Sequence, residues 1–186
     1  MPVYVSLLRG INLGEKHRVA MEDLRALYAS QGMNNARTYI QSGNVVFHNS
    51  EKDASAIARP LNRTMEKKYG FRADAVLRTL AELEALVTAN PLAVRDVEPT
   101  QNIVVFLSAA LDRQVAEESR GIAVAPEEVH TDGRHLFCYY PNGQGRSKLG
   151  TAIDRHLRKL DVNGTARNWN TVLKLLEMAR EMERSR

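Results

Sequence analysis

VYVSLL, residues Val3–Leu8, is an apolar run rich in β-branched and aromatic residues, and it predicts a buried strand that ends at Gly10. A second run of the same kind, IVVFL, occupies residues 103–107. Each run is followed by signals for a helix, a β-hairpin, a second helix, a strand and a last helix. The sequence therefore predicts one order of elements, βαββαβ, used twice.

The first half carries these signals in a regular series. Its predicted helix, hairpin, second helix and strand lie at residues 21–28, 38–47, 54–65 and 71–77. Ser42-Gly43 predicts a tight turn within the hairpin. Thr79 and Glu82 match a capping box, in which a hydroxyl and a carboxylate bond the free N–H groups of a helix start.

The second half repeats the series after a gap. Its predicted helix, hairpin, second helix and strand lie at residues 111–120, 129–140, 149–160 and 164–167, before a last helix that starts near Trp169. Residues 91–101 contain two prolines and no clear period, so they predict a linker between subdomains 1–90 and 102–186.

A βαββαβ order with helices on one face of an antiparallel sheet is the ferredoxin-like arrangement. We therefore predict an α+β protein with two tandem ferredoxin-like subdomains packed as one body. The first strands of the two halves are offset by about 100 residues, but the hairpin glycines Gly43 and Gly133 by 90. The first half thus has roughly ten extra residues, which we place in the loop at 10–19.

Charge is unevenly distributed along the 186 residues. The 26 Lys+Arg and 22 Asp+Glu give a formal net charge of +4, which allows a polyanionic partner without requiring one. Residues 1–95 hold 13 basic and 9 acidic residues, whereas residues 96–186 hold 13 of each. Any surface that attracts anions is therefore expected to lie in the first half.

Cys138 is the single cysteine, which excludes an intramolecular disulfide and a metal site of several thiolates, and fits a reducing cytosol. The N-terminal MPVYVSLLRG lacks the features of a signal peptide. No stretch approaches the ~20 apolar residues of a membrane-spanning helix. We expect a cytoplasmic protein without membrane association.

Four stretches carry a resemblance to a known family: LLRGINLG at 7–14, TYIQSGNVVF at 38–47, YPNGQGRSKL at 140–149 and TARNWNTVLKLLEM at 165–178. Together they resemble the uncharacterised bacterial family known as domain of unknown function 1697. The resemblance implies an α/β fold with two ferredoxin-like subdomains, and brings no activity or catalytic residue. This chain has Glu15-Lys16-His17-Arg18 where the family tends to continue with glycines, and Ala20 where a proline is usual.

The loop after the first strand has the composition of an anion site. Arg9, Asn12 and Lys16 lie among two glycines, between a strand and a helix, where backbone N–H groups and the helix start favour negative charge. Arg9 is the best placed of these, because it directly follows the strand. The loop matches neither the P-loop nor GxGxxG, and the structural alternative is that the glycines form turns and the cations are solvated. Ser42 and Asn44 of the hairpin are further candidate ligands.

A second loop, at 142–148, also runs from a strand into a helix. Ser147 is placed to cap that helix, while Arg146 and Lys148 add positive charge. A third candidate is Arg167, which precedes the last helix and offers a planar fork of donors to a phosphate or carboxylate. Asn168 is a further candidate ligand or helix cap. A flexible connector and an internal ion pair are the structural alternatives.

Signals for catalysis are sparse. The five histidines are scattered and accompany no HExxH or GxSxG motif, although His130 and His135 flank the second hairpin turn and could face each other. Cys138 lies in an alternating strand, which favours packing over nucleophilic chemistry. The aromatic consensus of the RNA-recognition module is absent. Because the histidines are scattered and there is one cysteine, we expect neither a bound metal nor a cofactor.

These features favour a protein that binds, or acts on, an anionic, phosphate-bearing small molecule. Its predicted ligands are spread over both halves, and a shared site requires that they converge. They are Arg9, Asn12, Lys16, Ser42, Asn44, Arg146, Ser147, Lys148, Arg167 and Asn168. The alternatives are a nucleic-acid-binding module that uses the basic first half, and a protein interaction module without a small ligand.

Overall fold

The computed structural model describes residues 1–185. It divides into two compact units: Met1–Glu84 together with the C-terminal segment from Lys174, and Ala85–Leu173. Each unit contains one four-stranded antiparallel sheet, and the described residues form six α-helices in all. The chain is therefore an α+β protein, as predicted.

The sheet of the first unit has the strand order β2-β3-β1-β4. β1 lies inside this sheet and pairs antiparallel with both β3 and β4. All six residues of β1 are buried, which explains why it reads as a continuous apolar run rather than an alternating one. The elements are β1 (Val3–Leu8), α1 (Met21–Ser30), β2 (Asn34–Tyr39), β3 (Asn44–His48), α2 (Ala54–Tyr69), β4 (Ala75–Thr79) and the start of α3 (Leu80–Ala89).

The second unit repeats this arrangement with the order β6-β7-β5-β8. β5 takes the interior place of β1, and it pairs antiparallel with β7 and β8. Its elements are β5 (Asn102–Leu107), α4 (Arg113–Arg120), β6 (Glu128–Thr131), β7 (His135–Tyr139), a 3₁₀ turn (Gln144–Arg146), α5 (Leu149–Lys159), β8 (Gly164–Asn168) and the start of α6 (Trp169–Arg184).

One core lies on the face of the first sheet that carries Tyr4 and Phe47, whose rings stack with centroids 5.8 Å apart. Tyr28 of α1 meets the Phe47 ring edge-on at 5.5 Å, and its hydroxyl shares a 2.7 Å hydrogen bond with buried Ser6. Burial raises the pKa of Tyr28 well above its ordinary value. These contacts fix α1, and so the end of the loop that precedes it.

The second core packs β5 and β7 against α5. Leu149, Ile153 and Leu157 recur at helical spacing, and all three are buried among the apolar residues of the sheet. The opposite side of α5 therefore faces solvent. The capping box predicted for α3 is also present, since the Thr79 N–H donates to Glu82 Oε2 at 2.8 Å and the Glu82 N–H to Thr79 Oγ1 at 3.2 Å.

Two strand boundaries differ from the predictions for reasons of pairing. β2 begins at Asn34, four residues early, because Asn34 pairs with His48 despite its low strand propensity. β4 begins only at Ala75, where its pairing with β1 starts at Leu8, so the alternating residues 71–74 have no strand partner. Sequence alternation alone does not reveal where the neighbouring strand ends.

One helix start also differs. α4 begins at Arg113 rather than at residue 111, because the Asp112 carboxylate accepts a 2.9 Å hydrogen bond from the Val115 N–H and caps the helix there. Within the part of the chain that the structure describes, no helix combines the length and apolarity needed to cross a membrane. The division into 1–90, 91–101 and 102–186 stays a prediction.

Candidate functional site

Asn12 holds together the loop between β1 and α1. Its Nδ2 donates to the Val19 carbonyl at 3.1 Å and to the Gln41 carbonyl at 2.7 Å, and its Oδ1 accepts from the Val19 N–H at 2.8 Å. Asn12 also adopts a left-handed backbone (φ 53°), which asparagine tolerates better than most residues. One side chain thus joins the loop, the start of α1 and the β2–β3 hairpin.

The far side of the same loop is held by His17. Its ring stacks on Phe71, with centroids 4.2 Å apart, and its Nδ1 lies 3.0 Å from the Gly10 carbonyl. The Asn12 N–H closes the loop by donating to the His17 carbonyl at 3.0 Å. Although residues 13–18 are exposed, the loop is thereby attached at both ends and in its middle.

The hairpin approaches this loop at Gly43. Gly43 has φ 74°, and a Cβ there would lie 2.7 Å from Ile11 Cδ1 and 2.8 Å from Leu8 Cβ. Only glycine therefore allows the turn to sit against β1 and the loop. The predicted ligand Asn44 is buried and donates to the Tyr39 carbonyl at 3.1 Å and to Ser42 Oγ at 2.8 Å. Ser42 and Asn44 thus support the turn.

An open depression of ≈ 550 Å³ lies where the loop, the hairpin and the start of α1 meet. Ala20 is the N-cap of α1 and offers no side-chain hydrogen bond, so the first helical bond is the one from the Leu24 N–H to the Ala20 carbonyl at 3.0 Å. The N–H groups ahead of Leu24 have no capping side chain. The lining residues are Asn12, Gly14, Arg18, Val19, Ala20 and Gln41.

Arg18 supplies the positive charge of this depression. Its side chain is exposed, and within residues 1–185 its guanidinium has no hydrogen-bond or ion-pair partner. Glu22 and Asp23 in the first turn of α1 offset part of that charge. The depression can therefore accept one small anion from Arg18 and the helix start, but it is not strongly cationic.

Sequence analysis identifies this loop but not all of its useful residues. Asn12 lines the depression, whereas Arg9 and Lys16 do not. Arg9 is half-buried, and its N–H donates to the Asp74 carbonyl at 3.0 Å. The signal for Arg18 is its place two residues before Ala20, an N-cap residue without a capping side chain. Nothing in the sequence indicates that the Gln41 backbone lies beside Asn12.

The loop at 142–148 belongs to the second unit. It contains the 3₁₀ turn, and Ser147 Oγ accepts from the Leu149 N–H at 2.9 Å. The N-cap of α5 is Lys148, so Ser147 lies one residue ahead of the capping position predicted for it. Arg146 and Lys148 are exposed and have no side-chain partner among the described residues. Whether they converge with the residues of the first unit stays a prediction.

Arg167 is buried in the second unit rather than placed at an open loop. Its Nη1 donates to Thr165 Oγ1 at 2.8 Å and to the Ala166 carbonyl at 2.7 Å, and burial lowers its pKa to about 10. Asn168 Oδ1 accepts from the Thr171 N–H at 2.9 Å, which caps α6. These contacts give both residues a structural role.

Arg78 is the counterpart of Arg167 that sequence analysis does not single out. It is 1% exposed, and its Nη1 donates to the preceding carbonyl, of Leu77, at 2.8 Å. Arg78 lies opposite Val5 in the first sheet, as Arg167 lies opposite Val104 in the second. A single cation within the apolar strand AVLRT is the signal that could have identified it.

Cys138, His130 and His135 have structural contacts rather than a shared site. Burial raises the pKa of the Cys138 thiol to about 12, which agrees with packing rather than nucleophilic chemistry. His130 and His135 do not face each other, because His130 lies opposite Phe137. Instead, His130 Nε2 contacts Glu128 at 2.8 Å and His135 Nδ1 contacts Asp132 at 2.8 Å.

Comparison with known proteins identifies one family and two solved structures that are similar to this chain. A family model described as "Protein of unknown function (DUF1697)" matches residues 1–137. A conserved bacterial protein from Streptococcus pneumoniae is 26% identical, with a TM-score of 0.71 over 97% of this chain and 99% of that one. An unknown protein from Galdieria sulphuraria is 13% identical over 90% and 98% of the two chains, with a TM-score of 0.27. No curated protein matches significantly.

Proposed function

We propose that this chain, which belongs to the DUF1697 family of proteins of unknown function, binds an anionic, phosphate-bearing small molecule in the depression beside α1. The observation that carries the proposal is the meeting, in one depression of ≈ 550 Å³, of Arg18 with the uncapped start of α1. A phosphate at a helix start accepts hydrogen bonds from free N–H groups and is stabilised by the helix dipole.

The loop is built to hold these groups in place before a ligand arrives. Asn12 and His17 attach it at separate points, and Gly43 brings the hairpin against it. A preformed site loses less conformational entropy on binding than a mobile one. The volume also lies within the range of about 300–1,000 Å³ that small-molecule sites occupy.

The chemistry of the lining favours an anion with several acceptor oxygens. An arginine offers a planar fork of donors, and phosphate accepts from such a fork and from backbone N–H groups together. The nearby carboxylates of Glu22 and Asp23 oppose a second or third anionic group. A phosphate monoester therefore fits this depression better than a highly charged polyphosphate.

The two sheets support a related proposal on fold and origin. The strand orders β2-β3-β1-β4 and β6-β7-β5-β8 suit two ferredoxin-like units that arose by internal duplication. The buried arginines Arg78 and Arg167 at matching register strengthen it. An experimental structure in which residues 3–79 fail to superpose on residues 102–168 would contradict the duplication. We also propose that the protein is bacterial and cytoplasmic, as the sequence analysis predicts.

Calorimetric titration with inorganic phosphate and a panel of phosphate monoesters tests the binding function. We expect Arg18→Gln to weaken binding about ten- to a hundred-fold, as for loss of a charge-assisted hydrogen bond of about 1.5–3 kcal/mol. Arg113→Gln is the matched control, because Arg113 is exposed, also lies at a helix start and has no partner among residues 1–185. Binding should also strengthen from pH 5 to pH 7.5, since the second phosphate ionisation has a pKa near ~6.

Two results would contradict the proposal. Absence of binding by any phosphate compound would leave the interaction-module alternative ahead. Equal weakening by Arg18→Gln and Arg113→Gln would show that net charge matters and the depression does not.

A further inference from the structure

The outer side of α5 is a basic surface that the proposed anion site does not use. Four exposed residues on it line an open depression of ≈ 410 Å³. The apolar side of the same helix is buried in the core of the second unit. We call the four residues the α5 basic face: Thr151, Arg155, Arg158 and Lys159.

The three cations of this face are exposed. Among the described residues, the side chains of Arg155, Arg158 and Lys159 have no hydrogen-bond or ion-pair partner. Two other surface arginines of the second unit do pair, Arg95 with Glu128 at 2.8 Å and Arg120 with Glu117. The second half has 13 basic and 13 acidic residues, and three of the basic ones are exposed together on this face, beside the half-buried Asp154 of the same helix.

We propose that the α5 basic face binds the phosphate backbone of a nucleic acid without reading its bases. Thr151 and Lys159 are eight residues apart, so the face extends about 12 Å along the helix. A nucleic-acid strand advances about 3.4 Å per phosphate, so several phosphates can pass along this length. Arginine and lysine pair with phosphate oxygens, and the Thr151 hydroxyl can donate to another.

The surroundings of the face favour this partner over the alternatives. No large apolar residue is exposed on α5, whereas protein interfaces have an apolar centre. The helix cannot insert into a bilayer, because Leu149, Ile153 and Leu157 are committed to the core. The face also carries no aromatic side chain on which a base could stack. Arg146 and Lys148, exposed just before α5, extend the positive surface.

This inference is independent of the phosphate-ester site, which belongs to the first unit. Fluorescence anisotropy with a labelled 20-base-pair duplex of random sequence tests it across a range of salt concentrations. The test variant is Arg155→Gln/Arg158→Gln. The matched control is Arg59→Gln/Arg63→Gln on α2, where both arginines are exposed, one turn apart and without a partner among the described residues.

The two double variants have the same net charge. A difference between them therefore distinguishes binding at the α5 basic face from attraction by the overall charge of the protein. Loss of two phosphate contacts should reduce the slope of log K against log salt by about 1.8, which corresponds to roughly 60-fold in affinity at 0.1 M salt. The α2 control should retain the wild-type slope. Circular dichroism checks that both variants are folded, as expected for exposed positions.

Several outcomes would overturn the proposal. These are no duplex binding at 20 mM salt, a wild-type affinity that does not change with salt, or an equal loss in both double variants. Polyglutamate serves as a polyanion without phosphate. If it competes as well as the duplex at equal charge concentration, the face attracts negative charge in general and the assignment to nucleic acid fails.

Discussion

The two units connect their interior strand to the following helix in different ways. In the first unit, residues 9–20 join β1 to α1, a stretch of twelve residues, whereas residues 108–112 join β5 to α4, a stretch of five. Most of the extra length predicted for the first half therefore lies in this connection. The order of elements around the two connections is the same, so the difference is local.

The N-termini of α1 and α4 differ in how they are capped, and this difference follows from the lengths of the connections that precede them. α4 is capped from within by the Asp112 carboxylate, while α1 begins at Ala20 without a side-chain cap and beside Arg18. In the short connection, Asp112 itself supplies the acceptor for a free N–H group at the start of α4. The long connection instead uses Asn12 to hold a depression open at the helix start. This contrast is the reason that we place ligand binding in the first unit.

The largest expected effect concerns the hairpin glycine that touches the long connection. We expect Gly43→Ala to lower the free energy of unfolding by about 3 kcal/mol or more, because positive φ and a close contact with Ile11 and Leu8 add together. Gly133→Ala is the comparison, since Gly133 has φ 91° but its Cβ would lie 3.7 Å from the nearest atom. Urea unfolding measures both. Equal effects would mean that the hairpin does not press on the loop.

A smaller effect is expected for the side chain that braces the long connection. Asn12→Ala removes three hydrogen bonds, and we expect it to lower the free energy of unfolding by about 2 kcal/mol. Ser108→Ala in the short connection removes one, to the Asn163 N–H, and should have about half that effect. Phosphate affinity should fall only for Asn12→Ala. Unchanged affinity would show that the brace does not shape the site.

Exchanging the helix caps tests the comparison directly. Asp112→Ala should destabilise the protein by about 1 kcal/mol, and Ala20→Asp should stabilise it by a similar amount. Thermal unfolding checks both changes. The new carboxylate at position 20 would also occupy the N–H groups offered to a phosphate, so Ala20→Asp should weaken phosphate binding while it raises Tm. An increase in both stability and affinity would argue against the helix start as a ligand.

The smallest effect is expected at Lys16, an exposed cation of the long connection that does not line the depression. Lys16→Ala should change the free energy of unfolding by less than about 0.5 kcal/mol. Phosphate binding should weaken by less than about fivefold, as expected for loss of an exposed charge contact of up to ~1 kcal/mol. Titration beside Arg18→Gln measures the difference. A larger loss of phosphate affinity for Lys16→Ala than for Arg18→Gln would indicate that the anion binds away from the start of α1.

Much of the fold could be predicted because its signals are local. The apolar run at Val3–Leu8, the capping box at Thr79 and Glu82, and the stripe on α5 each depend on residues within one turn or one strand. The starts of β2 and β4 could not, because they depend on where the partner strand begins or ends. The start of α4 could have been predicted from Asp112, a favourable N-cap residue, although the apolar pattern begins one residue earlier at Leu111.

Spacing and residue type are sufficient to predict the element order, the α+β class, the loop after β1 and the buried character of Cys138. Three features emerge only once the chain is folded: Asn12 reaches the Gln41 carbonyl, a depression opens beside Arg18, and Arg167 is buried. These features depend on groups distant in sequence, or on which side of a sheet or loop is covered. Local secondary-structure propensity predicts neither the distant contacts nor the covered side, because both are set by the packing of whole elements against one another.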